Sequence, residues 1–264
     1  MILIGTSGFS FADWKGTVYP KNIKNEEMLA FYEKELGFRA LELNFTYYAL
    51  PSQKAIHGIC GKTSSDFKFV VKTFKGLTHE IRNKEKKIID NKETFDKFKY
   101  SIEPMIKEGK LICVIAQFPY SFHPVKENIE YLEIVKIRFG DIPVVIEFRN
   151  IKWLNKNTFD LLKKIGLGYC VVDEPKLSGL MPFYPEVTSD IAYFRLHGRN
   201  MNWFNAPAEV RYDYNYSGKE LEEFLPKIQK LSQNSKTTLV FFNNCHAGSA
   251  AKNAVTMAKM LLYP

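Results

Sequence analysis

The amino-acid sequence predicts an α/β protein built as a single (β/α)8 TIM barrel over residues 1–264. Three observations lead to it. Eight short apolar runs of strand length recur along the chain. Amphipathic stretches with helix start and stop signals separate most of them. The 264 residues match the roughly 250 that eight strand–helix units occupy. A doubly wound sheet is the competing architecture, but it usually takes fewer strands or a second unit, and no linker marks a boundary. Its dinucleotide signature is missing too: Gly5-Thr6-Ser7-Gly8 is not a GxGxxG, and no Walker loop occurs.

The first strand is expected at Ile2–Thr6. A helix follows over Glu26–Leu36, where apolar residues fall near helical spacing and Gly37 offers a stop. Ala40–Asn44 is the second strand, and Pro51 introduces a short helix over Ser52–Cys60. Phe67–Lys72 and Leu111–Phe118 are the third and fourth strands, with a longer helix, Lys92–Glu108, between them. Val125–Phe139 continues from Pro124 as a helix and leads to the fifth strand, Val144–Phe148. Thr158–Ile165 ends at Gly166, which suits a C-terminal cap, before the sixth strand, Tyr169–Val172. Asp173–Asp190 is rich in Pro and Gly and reads as a long loop. Ile191–Leu196 is the seventh strand, and the stretch Gly198–Ser217 is an aromatic, polar loop. Gly218–Leu231, Thr238–Phe242 and Ser249–Leu262 complete the alternation as helix, strand and helix.

Composition narrows the class. With 45% hydrophobic and 25% charged residues the chain is a folded, soluble type rather than a disordered one. No apolar run reaches the roughly 18 residues of a membrane span. The first run is too short for a signal peptide and lacks a basic leader, so the cytoplasm is the expected compartment. The net charge of +8 favours anionic partners, but 30 of the 37 basic residues are Lys and only 7 are Arg. Lysine is a hydrated point charge, whereas planar bidentate recognition favours Arg. Many lysines are expected on helical, acid-interspersed surface, as over Lys84–Lys99. The four cysteines lie far apart with no CxxC pair; Cys113 and Cys170 sit in strand runs, as small buried hydrophobes do.

In a barrel, function belongs at the C-terminal strand ends and the loops after them. Charged residues cluster there in this sequence. The second strand carries Glu42 and Asn44 on one face, the third ends at Lys72, and the fourth at Gln117. The fifth supplies Glu147 and Arg149, the sixth ends at Asp173-Glu174, and the seventh supplies Arg195 and His197 with Arg199 beyond. The eighth ends at Asn243-Asn244, and the first adds the hydroxyls of Thr6 and Ser7. Such a ring is either a salt-bridged plug or a polar pocket. As a pocket, it offers Glu147 as a general base if its pKa is raised, and His197 as a proton shuttle near neutral pH. Asp173 is a further catalytic candidate. Lys72 is open to three roles: anion ligand, desolvated nucleophile, or partner of Glu42. Arg149, Arg195 and Arg199 can hold phosphate or carboxylate through paired donors, with Glu42, Asn44, Gln117 and Asn243 as further binding residues.

These residues fall within stretches similar to the YecE-like family known as domain of unknown function 72. Gly5-Thr6-Ser7-Gly8-Phe9-Ser10-Phe11 with Trp14, Gly16 and Tyr19-Pro20 resembles its first motif, although the family often has Trp at the position of Phe9. Glu42-Leu43-Asn44-Phe45-Thr46-Tyr47-Tyr48 with Pro51 resembles the second, and Phe67-Lys68-Phe69 with Val71-Lys72 and Thr78-His79 the third. Gln117-Phe118-Pro119, Glu147-Phe148-Arg149 with Trp153, Arg195-Leu196-His197-Gly198 and Phe242-Asn243-Asn244 continue the pattern over nearly the whole chain. The resemblance implies a TIM barrel without an established activity. The family's barrel is superficially similar to that of endonuclease IV, which brings nucleic acid among the expected partners by analogy of fold alone.

A multi-zinc centre does not suit five histidines without an HxH or HExxH motif. No cofactor is expected, save that Glu42, Glu147 or Asp173 has the oxygen chemistry for a single divalent ion. Aromatic residues in the loops, such as Tyr47, Tyr48 and Trp203, suit a sugar or base, or packing over the mouth. Three functions follow as expectations. The first is an enzyme acting on a phosphate-bearing small molecule or a nucleic acid. The second is a sugar or carboxylate isomerase or aldolase-type enzyme using Lys72. The third is a non-enzymatic nucleic-acid-binding module.

Overall fold

All eight apolar runs form parallel strands: β1 (Ile2–Thr6), β2 (Ala40–Leu43), β3 (Lys68–Lys72), β4 (Leu111–Gln117), β5 (Val144–Glu147), β6 (Gly168–Asp173), β7 (Ile191–Leu196) and β8 (Thr237–Phe242). The computed structural model describes residues 1–204 and 206–262. The strands hydrogen-bond in the order β1-β8-β7-β6-β5-β4-β3-β2. The two ends of that order meet, because Ser7 bridges Glu42 and the Gly8 N–H donates to the Glu42 carbonyl at 2.9 Å. The sheet is therefore a nearly closed TIM barrel. Near-continuous burial along β2, β5, β6 and β7 is what a parallel sheet covered on both faces requires.

Among the described residues seven helices cover the barrel: α1 (Met28–Lys34), α2 (Gln53–Cys60), α3 (Lys92–Lys107), α4 (Lys126–Phe139), α5 (Lys156–Ile165), α7 (Gly218–Ser232) and α8 (Ser249–Leu262); a single turn, α6 (Ala208–Arg211), precedes α7. Several ends have a local cause. The Ser52 hydroxyl accepts from the Ala55 N–H at the start of α2. Ser217 and Glu220 form a reciprocal capping box at α7. Gly166 closes α5 in the left-handed region, φ 73°.

Two expectations need correction. Helix α5 begins two residues before Thr158, because Asn155 caps it: its Oδ1 accepts from the Thr158 N–H at 3.0 Å. Residues 84–91 are not helical. Asn83 Oδ1 accepts from the Lys87 N–H, and Lys86 sits at φ 61°, so the chain turns before α3 starts at Lys92. The connection from β6 to β7 has no helix, as its Pro/Gly content led one to expect, which leaves six strand-to-strand connections wrapped by the first five helices and α7. No described helix is long and apolar enough to cross a membrane.

Candidate functional site

The barrel floor beneath the mouth is a layer of paired ions. Arg195 on β7 is its hub: Nη2 donates to Glu42 Oε1 of β2 and Nη1 to Glu147 Oε2 of β5, each at 2.6 Å. Tyr193 precedes Arg195 by two residues and so shares its inward face; its hydroxyl donates to Glu42 Oε2 at 2.5 Å. Arg149 lies with Nε 2.7 Å from Glu147 Oε1 and donates through Nη1 to Glu174 Oε2 at 2.7 Å. Glu174 is held in turn by the Met181 N–H. All these carboxylates and Arg195 are buried, and each carboxylate meets a guanidinium, as burial of charge demands.

His197 extends the layer. Asn243 Nδ2 lies 2.9 Å from its Nδ1, and its Nε2 lies 3.3 Å from Glu147 Oε1. An amide donor at Nδ1 leaves the proton on Nε2, facing the carboxylate. Burial and the nearby Arg149 push the His197 pKa down to about 3, despite Glu147. The expected proton shuttle at neutral pH is thus a fixed, neutral donor. Glu147 also departs from expectation. Burial alone would raise its pKa, but Arg149, Arg195 and His197 hold it well below the ordinary value. A general base with a raised pKa is not what these neighbours make.

Above the layer opens a cavity of about 380 Å³, at the C-terminal ends of β1, β2, β3, β5, β7 and β8. Its charged lining residues are Lys72, Arg149 and Arg195; no carboxylate lines it among the described residues. Aromatic rings of the loops after β1 and β2, including Phe9, Phe11, Tyr47 and Tyr48, form a wall. Ser7, Asn44 and Asn243 add neutral polar groups. Ser7 Oγ, Asn44 Oδ1 and Arg195 Nε are buried and make no hydrogen bond among the described residues. Arg149 Nη2 likewise has no partner there.

Lys72 ends β3 and points its amine at this cavity, which keeps it partly exposed. Nζ donates to Gln117 Oε1 at 3.0 Å and lies 4.5 Å from the centre of the Tyr47 ring. Burial and then Arg195 bring its pKa down to about 7, with Arg149 adding to this and Glu147 and Glu42 opposing it. The expected partnership with Glu42 is not formed, because Arg195 and Tyr193 occupy both Glu42 oxygens.

Three expected site residues, Asp173, Arg199 and Thr6, lie elsewhere. Asp173 receives Arg199 through Nε (2.9 Å) and Nη2 (3.0 Å) and the Tyr216 hydroxyl at 2.6 Å. This cluster joins β6 and β7 to α7 and does not line the mouth cavity. The Thr6 hydroxyl also turns away, donating to Gly8 O at 2.6 Å and lying 3.0 Å from Tyr32 Oη. Sequence reasoning passed over Tyr193, whose place two residues before Arg195 was a usable signal. Glu174 had none beyond following Asp173.

As for a metal, no three His, Cys, Asp or Glu side chains converge among the described residues. The carboxylates Glu42, Glu147 and Asp173 already face guanidinium groups. A divalent ion would have to displace these fixed positive charges, so the donor set does not fit one.

A parallel eight-stranded barrel with polar side chains converging at the C-terminal strand ends defines a TIM-barrel protein with its candidate site in the mouth. The family model described as "Protein of unknown function DUF72" matches residues 3–263, and the chain belongs to that family. It is 33% identical to the UPF0759 protein YunF of Bacillus subtilis (strain 168), across 99% of this chain and 95% of that one. Among solved structures, a DUF72 family protein of Thermotoga maritima is 47% identical and superposes with a TM-score of 0.93, covering 99% of both chains. A DUF72 family protein of Enterococcus faecalis is 30% identical with a TM-score of 0.86, covering 100% of this chain and 96% of that one.

Proposed function

We propose that the barrel mouth binds a small phosphate-bearing molecule of sugar or nucleotide size and that the protein is an enzyme acting on it there. The observation that carries this reading is the sign of the cavity wall: three cations line it, while the acids that balance them lie underneath. Arg149 Nη2, Arg195 Nε and Lys72 Nζ are donors with capacity left for an anion. Ser7 Oγ and Asn44 Oδ1 offer a hydroxyl and an acceptor suited to a polyol. The aromatic wall suits the flat face of a sugar or base. A cavity of about 380 Å³ fits such a molecule but not a duplex.

Phosphate is the handle in this reading rather than the bond that breaks. Glu147 and His197, the groups expected to serve as base or proton shuttle in hydrolysis of the ester, are both unsuited to that task. A thermal-shift comparison of glucose 6-phosphate with glucose, and of adenosine 5′-monophosphate with adenosine, tests the proposal. A phosphorylated member should raise the melting temperature where its parent does not; binding at 100 times Kd is worth about 2.7 kcal/mol. Equal responses within both pairs, or none across a wider panel of sugar phosphates, would count against it.

A further inference from the structure

Two lysines lie largely within this fold, Lys110 buried and Lys72 half-buried, and they are built differently. Lys110 is a structural cation. Its Nζ donates to the carbonyls of Cys60 (2.6 Å) and Thr63 (3.0 Å) and to Thr63 Oγ1 (3.1 Å), with Glu108 at 3.9 Å. Its three N–H groups are all occupied. Lys72 has one acceptor, Gln117 Oε1, and no ion pair among the described residues. Its backbone is fixed on both sides: Thr46 Oγ1 donates to its carbonyl at 2.5 Å, and β3 pairs it with Ile115 of β4. The amine is therefore aimed at the cavity by a rigid strand, with the Tyr47 ring beside it and no second hydrogen-bond acceptor among the described residues.

We infer that Lys72 is the reacting amine of the site and forms an imine with the carbonyl carbon of a phosphate-bearing aldehyde or ketone. This rests on the reading of the mouth as an anion site. The Nζ lone pair attacks the carbonyl carbon, a C–N bond forms, and the π pair moves to oxygen. The two amine hydrogens and that oxygen leave as one water molecule, giving the C=N bond. No oxidant or reductant enters. Taking up one proton from solvent, the imine becomes an iminium, which withdraws electrons from a neighbouring C–H or C–C bond, the chemistry of isomerases and aldolases.

The reaction needs a neutral amine. With its pKa lowered to about 7, Lys72 supplies one near neutral pH, where an ordinary lysine stays charged. Gln117 suits the role, since a neutral amide positions the amine without restoring its charge as a carboxylate would.

Incubation of the full chain with glyceraldehyde 3-phosphate and sodium borohydride, followed by peptide mapping, tests the inference. The reduced adduct should form on Lys72 ahead of Lys110 and the surface lysines. Glyceraldehyde without phosphate should label Lys72 about tenfold more slowly or worse, the loss of one useful anion contact. K72M should lose the adduct while still unfolding cooperatively. A melt with glyceraldehyde 3-phosphate, without borohydride, separates the two readings. Stabilisation with no adduct at Lys72 overturns the imine and keeps the anion site. Neither stabilisation nor adduct overturns both, and labelling spread evenly over the lysines overturns the imine.

Discussion

Arg195, Glu147 and Lys72 show how position in the barrel decides what a charged side chain can do. Arg195 is spent on two buried acids, so it neutralises the floor rather than serving as a flexible ligand. Glu147 is held ionised by the cations around it, and His197 is held neutral by burial and Arg149. Lys72 pays part of the cost of their proximity, since Arg195 and Arg149 both disfavour its charged form. That has a measurable consequence. Between about pH 7 and 10.5 the unfolded chain carries a proton on Lys72 that the native state lacks, so stability from this group rises with pH and is flat below pH 7. K72M removes the effect. Its advantage over the natural protein should be largest at pH 7 and shrink toward pH 9, by on the order of 1 kcal/mol once the water in the cavity is allowed for. Urea unfolding at the two pH values checks this; a constant difference would show that Lys72 keeps its ordinary pKa. The residue types at the strand ends were legible in the sequence, because Glu42, Glu147 and Arg195 interrupt apolar runs where no ordinary core residue belongs. Their partners were not. Nothing in the chain before folding says that Arg195 reaches Glu42, 153 residues away, or that Arg199 diverts Asp173 to α7.

At the scale of elements, the strands were the most legible part. β1 and β7 run as expected, and the other six differ by one residue at one end, or at both ends for β6, because each is a short apolar run bounded by polar or turn residues. Helix starts were harder, since they depend on which side chain wins the cap: Asn155 starts α5 two residues ahead of the expected Thr158, although α3 starts at Lys92 as expected. The seam between β1 and β2 was not legible at all. It depends on Gly5, where an added Cβ would lie 2.2 Å from the Ala40 carbonyl oxygen and 2.9 Å from Tyr32 Oη. These neighbours are backbone and a buried ring, and neither can give way cheaply. Gly5→Ala should therefore cost about 1–3 kcal/mol or more by overpacking, read as a lower urea midpoint. A neutral outcome would mean that β1 and β2 are not held this closely.

For the whole molecule, the surplus of +8 and the chemistry of the site are separate matters. Much of the surplus is lysine on exposed surface, as at Lys97, Lys107, Lys126 and Lys156, each beside an acid on its own helix. Such pairs are solvated and contribute little. The informative charges are arranged in depth instead. Acids and Arg195 fill the barrel beneath the mouth, and the cations with spare donors face the cavity above. The salt-bridged plug and the polar pocket that the sequence left as alternatives are thus two layers of one structure. The central claim is that the upper layer receives an anion. Crystals soaked in sodium tungstate, an anomalously scattering tetrahedral oxyanion, test it most directly. An anomalous peak within hydrogen-bond reach of Lys72 Nζ and Arg149 Nη2 is the predicted result, and a mouth cavity holding only water while tungstate binds elsewhere would contradict it.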